Sequence, residues 1–227
     1  MGGLDSKMEI KNVEDLSYEK IQVRENIGYL FFKRLLDIIA SLIGLIILSP
    51  IFIIVALAIK IEDPKGKVFF SQERCGKNNQ LFPMYKFRSM VSNAEKLLDE
   101  SKDMNEMDGP VFKIKEDPRI TKVGKFIRKT SIDELPQLLN VLKGEMSLVG
   151  PRPAIPHEVE EYDDYQIQRL LVKPGITCIW QTSGRNTIGF DEWVEMDLEY
   201  IQKRSFILDL KLIFKTVGVL FGDENAA

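Results

Sequence analysis

IIASLIGLIILSPIFIIVALAI, from Ile38 to Ile59, is a run of 22 residues without a single charge. As one straight helix it would be about 33 Å long, enough to cross the hydrocarbon core of a bilayer. Pro50 stands near its middle, preceded by Ser49. A proline there removes one backbone hydrogen bond and clashes with the preceding turn, so the helix bends or breaks. The Ser49 hydroxyl is suited to a freed carbonyl. Both flanks are basic, with Lys33 and Arg34 before the run and Lys60, Lys65 and Lys67 after it. Positive charge marks the cytoplasmic side, and here both ends ask for the same side. Two topologies fit these residues, a re-entrant helix and a kinked span. No second apolar run follows to bring the chain back across.

The remainder reads as a globular protein. Of the 227 residues, 44% are hydrophobic, which suffices for a core, and the net charge is -3. With no global basic field, the chain is not expected to bind nucleic acid. Cys75 and Cys178 lie far apart without a CxxC, and His157 is the single histidine. That argues against a His/Cys zinc site and for buried, reduced thiols in a cytosol-facing protein. Aromatic runs on either side of Gly76-Lys77-Asn78-Asn79 predict a hairpin. Alternation in its second arm puts Lys86 and Arg88 on one face and Tyr85 and Phe87 on the other. Residues 92–104 read as a charged helix, 105–118 as a loop, 157–169 as a polar helix and 191–200 as an amphipathic one. The apolar stretch Ser205 to Phe221 carries Asp209, Lys211 and Lys215. It fits either an interfacial helix or one packed on the core.

Thr130-Ser131-Ile132-Asp133-Glu134-Leu135-Pro136-Gln137 places two adjacent carboxylates at the expected start of a helix, after a basic stretch. Ser131-x-x-Glu134 has the form of a capping box, and acids in a first turn complement the helix dipole. The apolar stripe of that helix is expected at Leu135, Leu138, Leu139 and Leu142, with Gly144 as its C-cap. Downstream, Gly150-Pro151-Arg152-Pro153 holds an arginine on a stiff, non-helical segment suited to bidentate binding of a phosphate or carboxylate. With Lys86, the cations Arg88, Arg128, Arg152 and Arg185 are candidates for one anionic-substrate site. Asp133, Glu134 and Asp197 are candidate oxygen ligands for Mg²⁺, which binds through few carboxylates plus substrate phosphates. Beside a membrane segment, this combination points to phosphoryl chemistry on a lipid.

Several motifs, in this order, resemble those of the bacterial sugar transferase family. They are Ser49-Pro50, Tyr85-Lys86-Phe87-Arg88-Ser89-Met90, Asp117-Pro118-Arg119-Ile120-Thr121, Ser131 to Gln137, Gly150-Pro151-Arg152-Pro153, Pro174-Gly175-Ile176-Thr177 and Gly184-Arg185-Asn186. The likeness runs from about Phe31 to the C-terminus. It implies a monotopic phosphoglycosyl transferase that moves a sugar-1-phosphate from a UDP-sugar to undecaprenyl phosphate and releases UMP. The expected setting is the cytoplasmic face of a bacterial inner membrane, at the first membrane step of polysaccharide or glycan assembly. The resemblance also implies a re-entrant helix broken at Ser49-Pro50, Asp133 as nucleophile and Glu134 assisting Mg²⁺ or the acceptor. The expected class is thus α+β. A polar tail occupies residues 1–28, with a short helix near 13–23, and a re-entrant membrane helix occupies 29–60. A mostly helical cytoplasmic catalytic domain over 61–227 carries a small β-hairpin and interfacial amphipathic helices against membrane lipid.

Two departures bear on this reading. Larger family members carry spanning helices and a further domain before the catalytic part; here about 28 residues precede the match, so a minimal form is expected. Cys178 stands where the family usually has glycine after Pro-Gly-Ile-Thr. The Trp180 to Asn186 stretch looks most like galactose- and glucose-phosphate transferases. The alternatives are an inactive membrane-anchored interaction module, with basic clusters on anionic lipid, and a lipid diphosphate hydrolase with water as acceptor.

Overall fold

The computed structural model describes residues 20–94, 97, 114, 117–183 and 188–222. The helix expected at 92–104, the loop at 105–118 and Arg185 fall wholly or largely outside them. Most of the short tail helix expected near 13–23 also lies outside them; its described part, residues 20–23, forms no helix. Asn26 caps α1 (Ile27–Ile47), its side chain accepting the Tyr29 N–H at 3.1 Å. The helix breaks at Leu48, and α2 (Ser49–Glu62) starts with Pro50 in its first turn, where a missing N–H costs nothing. Ser49 Oγ donates to the Ile46 carbonyl at 2.8 Å, as the sequence suggests. The two axes differ by 58°. Among the described residues no single helix is long and apolar enough to cross a membrane; α1 and α2 meet that test only as a bent pair.

The pair is two-faced. Ile43, Ile46, Ile47, Ile53, Ile54 and Leu57 are exposed, whereas Asp37 and Ser41 on α1 are buried. The basic flank before the apolar run is also engaged in structure. Arg34 donates to the Val141 and Leu142 carbonyls at 2.6 and 2.8 Å, placing a cation at the C-terminus of α4 (Gln137–Lys143). Lys33 donates to the Val149 carbonyl at 2.9 Å and to Asp209 at 2.9 Å. Asp37 accepts the Ser147 hydroxyl and the Leu148 N–H. These charges dock α1 onto the rest of the molecule.

The predicted hairpin is present. β1 (Phe69–Cys75) pairs antiparallel with β2 (Leu81–Phe87), from Phe69 opposite Phe87 to Cys75 opposite Leu81. Its turn uses Asn78 and Asn79 at positive φ, a conformation asparagine tolerates better than most residues. Phe87 points inward and joins Val55 and Ile59 of α2 and Ile127 of α3 (Lys122–Lys129) in one buried cluster. The Glu62 carboxylate at the end of α2 accepts the Lys122 and Val123 N–H groups, tying α2 to α3.

Gly144, at φ 86°, ends α4 as expected, but the leucine stripe does not form the core face. Gln137, Asn140 and Val141 are buried instead, while Leu139 is exposed. The reason is the neighbour: a Cβ on Gly44 of α1 would meet Leu138 Cδ1 at 3.2 Å, so this side of α4 packs on the bent helix pair. Two short strands, β3 (Ser147–Val149) and β4 (Gly175–Thr177), pair in parallel. Gly150 and Gly175 approach there so closely that a Cβ on Gly175 would overlap the Gly150 backbone. The expected helix over 157–169 is two pieces, α5 (Pro156–Glu160) and a 3₁₀ turn at Gln166–Leu171. α6 (Phe190–Lys203) and α7 (Phe206–Gly222) complete the main core around Tyr162, Ile167, Tyr200 and Ile201, with Trp180 stacked on Trp193 at 4.4 Å. The described residues form a mostly helical α+β fold with two small sheets.

Candidate active site

The carboxyl pair sits on its own 3₁₀ turn, Ile132–Glu134, between α3 and α4. The capping box does not form. Ser131 lies in the left-handed region at φ 53°, ψ 16°, and its side chain caps nothing. A non-glycine residue there is held against a local preference of about 1 kcal/mol or more, which makes the turn a specified shape. It leaves Asp133 only 7% exposed and Glu134 half-buried.

Lys86, on β2, reaches across to Glu134, with Nζ 2.8 Å from Oε1. Asn140 fixes this approach. Its Oδ1 accepts the Tyr85 N–H at 3.0 Å, and its Nδ2 donates to the Pro83 carbonyl at 2.7 Å and to Glu145 Oε2 at 2.6 Å. A fully buried side-chain amide thus completes the hydrogen bonding of β2 on both sides of Met84, two residues before Lys86. Burial pushes the Asp133 carboxyl up to about 6, against the pull of Lys86 and with the Glu134 charge adding to the rise. For Glu134, burial acts upward too, but Lys86, then Arg152 and Arg74, override it and hold the group below its ordinary range. The two adjacent acids are therefore set apart electrostatically, one poised and one firmly ionised.

Arg152 stands beside them on its proline-bracketed segment. Its Nη1 donates to Glu158, at 3.2 Å to Oε2 and 3.4 Å to Oε1, and its guanidinium lies 5.9 Å from the Trp193 ring. Nε and Nη2 have no hydrogen-bond partner among the described residues, so one edge of the fork is open for an anion. Glu158 is buried and also accepts the Ile155 N–H at 3.0 Å. Arg74, on β1, donates to the Pro153 carbonyl at 3.0 Å. Burial and the neighbouring Arg152 charge push Arg74 down to about 10.

The structure therefore groups Asp133, Glu134, Lys86 and Arg152, with Arg128 exposed on the last turn of α3 and acting on Asp133 by charge. Arg88 points elsewhere, with Nη1 4.0 Å from Asp63 beyond the end of α2. Asp197 is completely buried and bound by Arg169, through Nε at 2.8 Å and Nη2 at 2.7 Å. It is enclosed in the core, both Arg169 contacts falling on Oδ2, while its buried Oδ1 has no hydrogen-bond partner among the described residues. It faces the Arg152 backbone, from the inner side. Arg74, Asn140 and Glu158 were not among the sequence candidates. A polar residue at 140, next to the core residue Val141, was the one local signal for them.

Among the described residues no group of three or more His, Cys, Asp or Glu side chains can hold a metal. The Asp133–Glu134 pair fits a Mg²⁺ whose other ligands come from substrate phosphates and water, since Lys86 occupies only one Glu134 oxygen.

A family model described as bacterial sugar transferase matches residues 28–223, which include every element of this site. The chain belongs to the bacterial sugar transferase family. Other bacterial sugar transferases show the likeness at high identity. The galactosyl transferase CpsE of Streptococcus agalactiae is 50% identical over 194 residues, covering 85% of this chain and 43% of that protein. An undecaprenyl-phosphate galactose phosphotransferase of Salmonella typhimurium is 45% identical over 203 residues, covering 86% and 42%. The exopolysaccharide production protein ExoY of Rhizobium meliloti is 41% identical over 189 residues, covering 82% and 83%. The chain spans less than half the length of the first two relatives and most of the third.

Proposed function

We propose that this protein is a phosphoglycosyl transferase. It moves a sugar-1-phosphate from a UDP-sugar to undecaprenyl phosphate and releases UMP; the sugar is galactose by the names of two relatives above, or glucose by that of an undecaprenyl-phosphate glucose phosphotransferase of Komagataeibacter xylinus, 44% identical over 209 residues. The observation that carries the reading is the carboxyl pair: a buried Asp133 poised near neutrality beside a Glu134 pinned by Lys86, with Arg152 at hand.

In the reaction, an Asp133 carboxylate oxygen attacks the β-phosphorus of the donor. The bond from that phosphorus to the bridging oxygen breaks, and UMP leaves with the electron pair. An oxygen of undecaprenyl phosphate then attacks the same phosphorus, the bond to Asp133 breaks, and the carboxylate is restored. Two displacements let one site serve a soluble and a membrane substrate in turn. Lys86 and Arg152 offset charge on the transferring phosphate, and Arg128, whose charge already acts on Asp133, adds to them. A Mg²⁺ held by Asp133 and Glu134 would add charge neutralisation at the phosphate oxygens. The exposed apolar faces of α1 and α2 support a re-entrant anchor in the cytoplasmic membrane, with the site on the cytoplasmic side.

The test is transfer of radiolabel from a panel of UDP-sugars in the presence of Mg²⁺, with and without undecaprenyl phosphate. Acceptor-dependent movement of label into the organic phase with release of UMP is expected. Label released to water would favour a hydrolase, and no reaction with any donor would favour an interaction module.

A further inference from the structure

Arg74 takes no part in the chemistry above, yet it is a cation sealed inside the protein, only 7% exposed. No carboxylate pairs with it among the described residues. Its hydrogen bonds go to neutral oxygens. Nη1 donates to the Pro153 carbonyl at 3.0 Å and Nη2 to Gln72 Oε1 at 2.8 Å, while the buried Nε has no partner among the described residues. Burial and the Arg152 charge push it down to about 10, which still leaves it charged at neutral pH. A buried charge without a partner is strongly destabilising. A fold carries such a cost where function needs it.

The carbonyl that Arg74 holds belongs to the residue after Arg152. The next carbonyl, of Ala154, accepts the Cys75 N–H at 2.9 Å, and Cys75 and Ala154 face each other in an antiparallel bridge. Successive residues of β1 thus grip successive carbonyls of the Arg152 segment. Charge points the same way. The carboxylates whose charges act on Arg74 are Glu158 and Glu134. Glu158 is already engaged by Arg152, and Glu134 by Lys86. Arg74 is the cation left over, its charge unspent by any acid of the cluster. From this we infer that Arg74 is a positioning residue for the donor diphosphate. It fixes Arg152 through the Pro153 carbonyl, with the open edge of that guanidinium toward the phosphates, and adds positive charge from beneath. Arg152 meets the substrate; Arg74, buried behind it, does not. The inference rests on the proposed reading of the donor as a UDP-sugar.

The test is calorimetric binding of UDP-sugars to the full chain carrying Asp133→Asn, so that no turnover occurs. Arg74→Met removes the charge and both hydrogen bonds, and should weaken binding by about 30-fold or more. Arg74→Gln keeps a donor for the Pro153 carbonyl but no charge, and should weaken it by about tenfold. Arg74→Lys keeps the charge and a donor, and should stay within about threefold of the parent. In an Arg152→Ala background, Arg74→Met should cost less than about threefold more, because it acts mainly through Arg152. With Asp133 intact, Arg74→Gln should raise KM for UDP-sugar and leave KM for undecaprenyl phosphate unchanged, a split that general loosening of the fold would not produce. Parental donor affinity in a folded Arg74→Gln protein would overturn the inference and leave the donor reading standing. So would losses at Arg74 and Arg152 that multiply in full, or equal rises in the two KM values. If Arg74→Met does not fold, Arg74→Gln and Arg74→Lys decide, and equal losses in those two would reduce Arg74 to packing. A folded parent that binds no UDP-sugar would remove the donor reading, and this inference with it.

Discussion

Lys86 Nζ and Glu134 Oε1 stand 2.8 Å apart, joining β2 to the turn that carries both candidate acids. The pair sets the ionisation of the site as well as its shape. Lys86 draws Asp133 downward against burial, which still leaves that carboxyl at about 6. A nucleophilic Asp133 must be a carboxylate, so kcat/KM should fall as pH drops through about 6. Lys86→Met removes the opposing charge, so the acid limb should move to higher pH, and turnover should fall by about 10²-fold or more. Lys86→Arg should keep the limb in place. A pH–rate profile of the three proteins measures this, and an unmoved limb in Lys86→Met would separate Lys86 from the carboxyl pair.

The same burial carries a stability cost. Asp133 is raised from 3.8 to about 6, so the folded protein resists ionising it. The cost is absent below the unfolded value near 4 and complete above 6. Asp133→Asn removes it while keeping the side-chain shape. That variant should be inactive yet more stable at neutral pH, by about 3 kcal/mol or several degrees in Tm. The difference should shrink as pH falls from 6 to 4. A variant less stable than the parent at pH 7.5 would show that the Asp133 carboxylate holds the turn together.

Arg152 is oriented by Glu158 through one nitrogen only. Arg152→Lys keeps the charge but not the planar fork, so donor binding should weaken far more than charge conservation suggests. Glu158→Gln keeps an acceptor for the Ile155 N–H, so folding should survive, but Arg152 loses its charged partner. Affinity for UDP-sugar should then drop about tenfold. In an Arg152→Ala background the Glu158→Gln change should have little further effect. Additive losses in that double-mutant cycle, read by calorimetry, would demote Glu158 to a purely structural residue.

What could be read from the sequence was local. Pro50 breaks a helix by its own chemistry, Gly144 ends one by its own conformational freedom, and two aromatic runs about a polar turn make a hairpin whatever surrounds them. The adjacency of Asp133 and Glu134, and the stiffness of Arg152 between prolines, are likewise local. The residues that set these groups in place act over long separations. Asn140 reaches Tyr85, Arg34 reaches Val141, and Asp37 reaches Leu148. Nothing in the neighbourhood of each announces its partner. The leucine stripe of α4 misled for a related reason: apolar periodicity shows that a face is covered, and here α1 supplies part of the cover. Ser131 misled because a capping-box pattern specifies side-chain chemistry, not backbone conformation.

The bend at Leu48 predicts topology. If α1 and α2 form a re-entrant anchor, cysteines introduced at Lys20 and at Lys65 both face the cytoplasm. Neither should react with an impermeant thiol reagent added to intact cells, and both should react after lysis. Pro50→Leu restores a backbone donor in the middle of a long apolar run and should straighten it toward a span. In that background the Lys20 cysteine should become accessible from outside. Labelling of either position in intact cells carrying the parental proline would rule out the re-entrant arrangement.

The covalent intermediate is the sharpest test of the chemistry. Asp133 and Glu134 are neighbours with different environments: Asp133 is buried and raised, Glu134 is tied to Lys86 and lowered. A group with a higher proton affinity is the better nucleophile once ionised, and Asp133 is mostly ionised near pH 7.5. Glu134, engaged by a lysine, is better suited to hold charge in place. Enzyme incubated with Mg²⁺ and the correct UDP-sugar, without lipid acceptor, should therefore release UMP up to about one equivalent and retain a phosphosugar. Peptide mass mapping should place the adduct on Asp133. Asp133→Asn should abolish both the burst and transfer, whereas Glu134→Gln should slow turnover and still permit a slow adduct. Removing Mg²⁺ with a chelator should suppress the burst, and restoring it should recover the burst. UMP release that waits for undecaprenyl phosphate, with no adduct trapped in either variant or in the parent, would favour direct transfer between the two substrates. Asp133 would then act as a base or metal ligand, and its raised proton affinity would serve to accept a proton instead of attacking phosphorus.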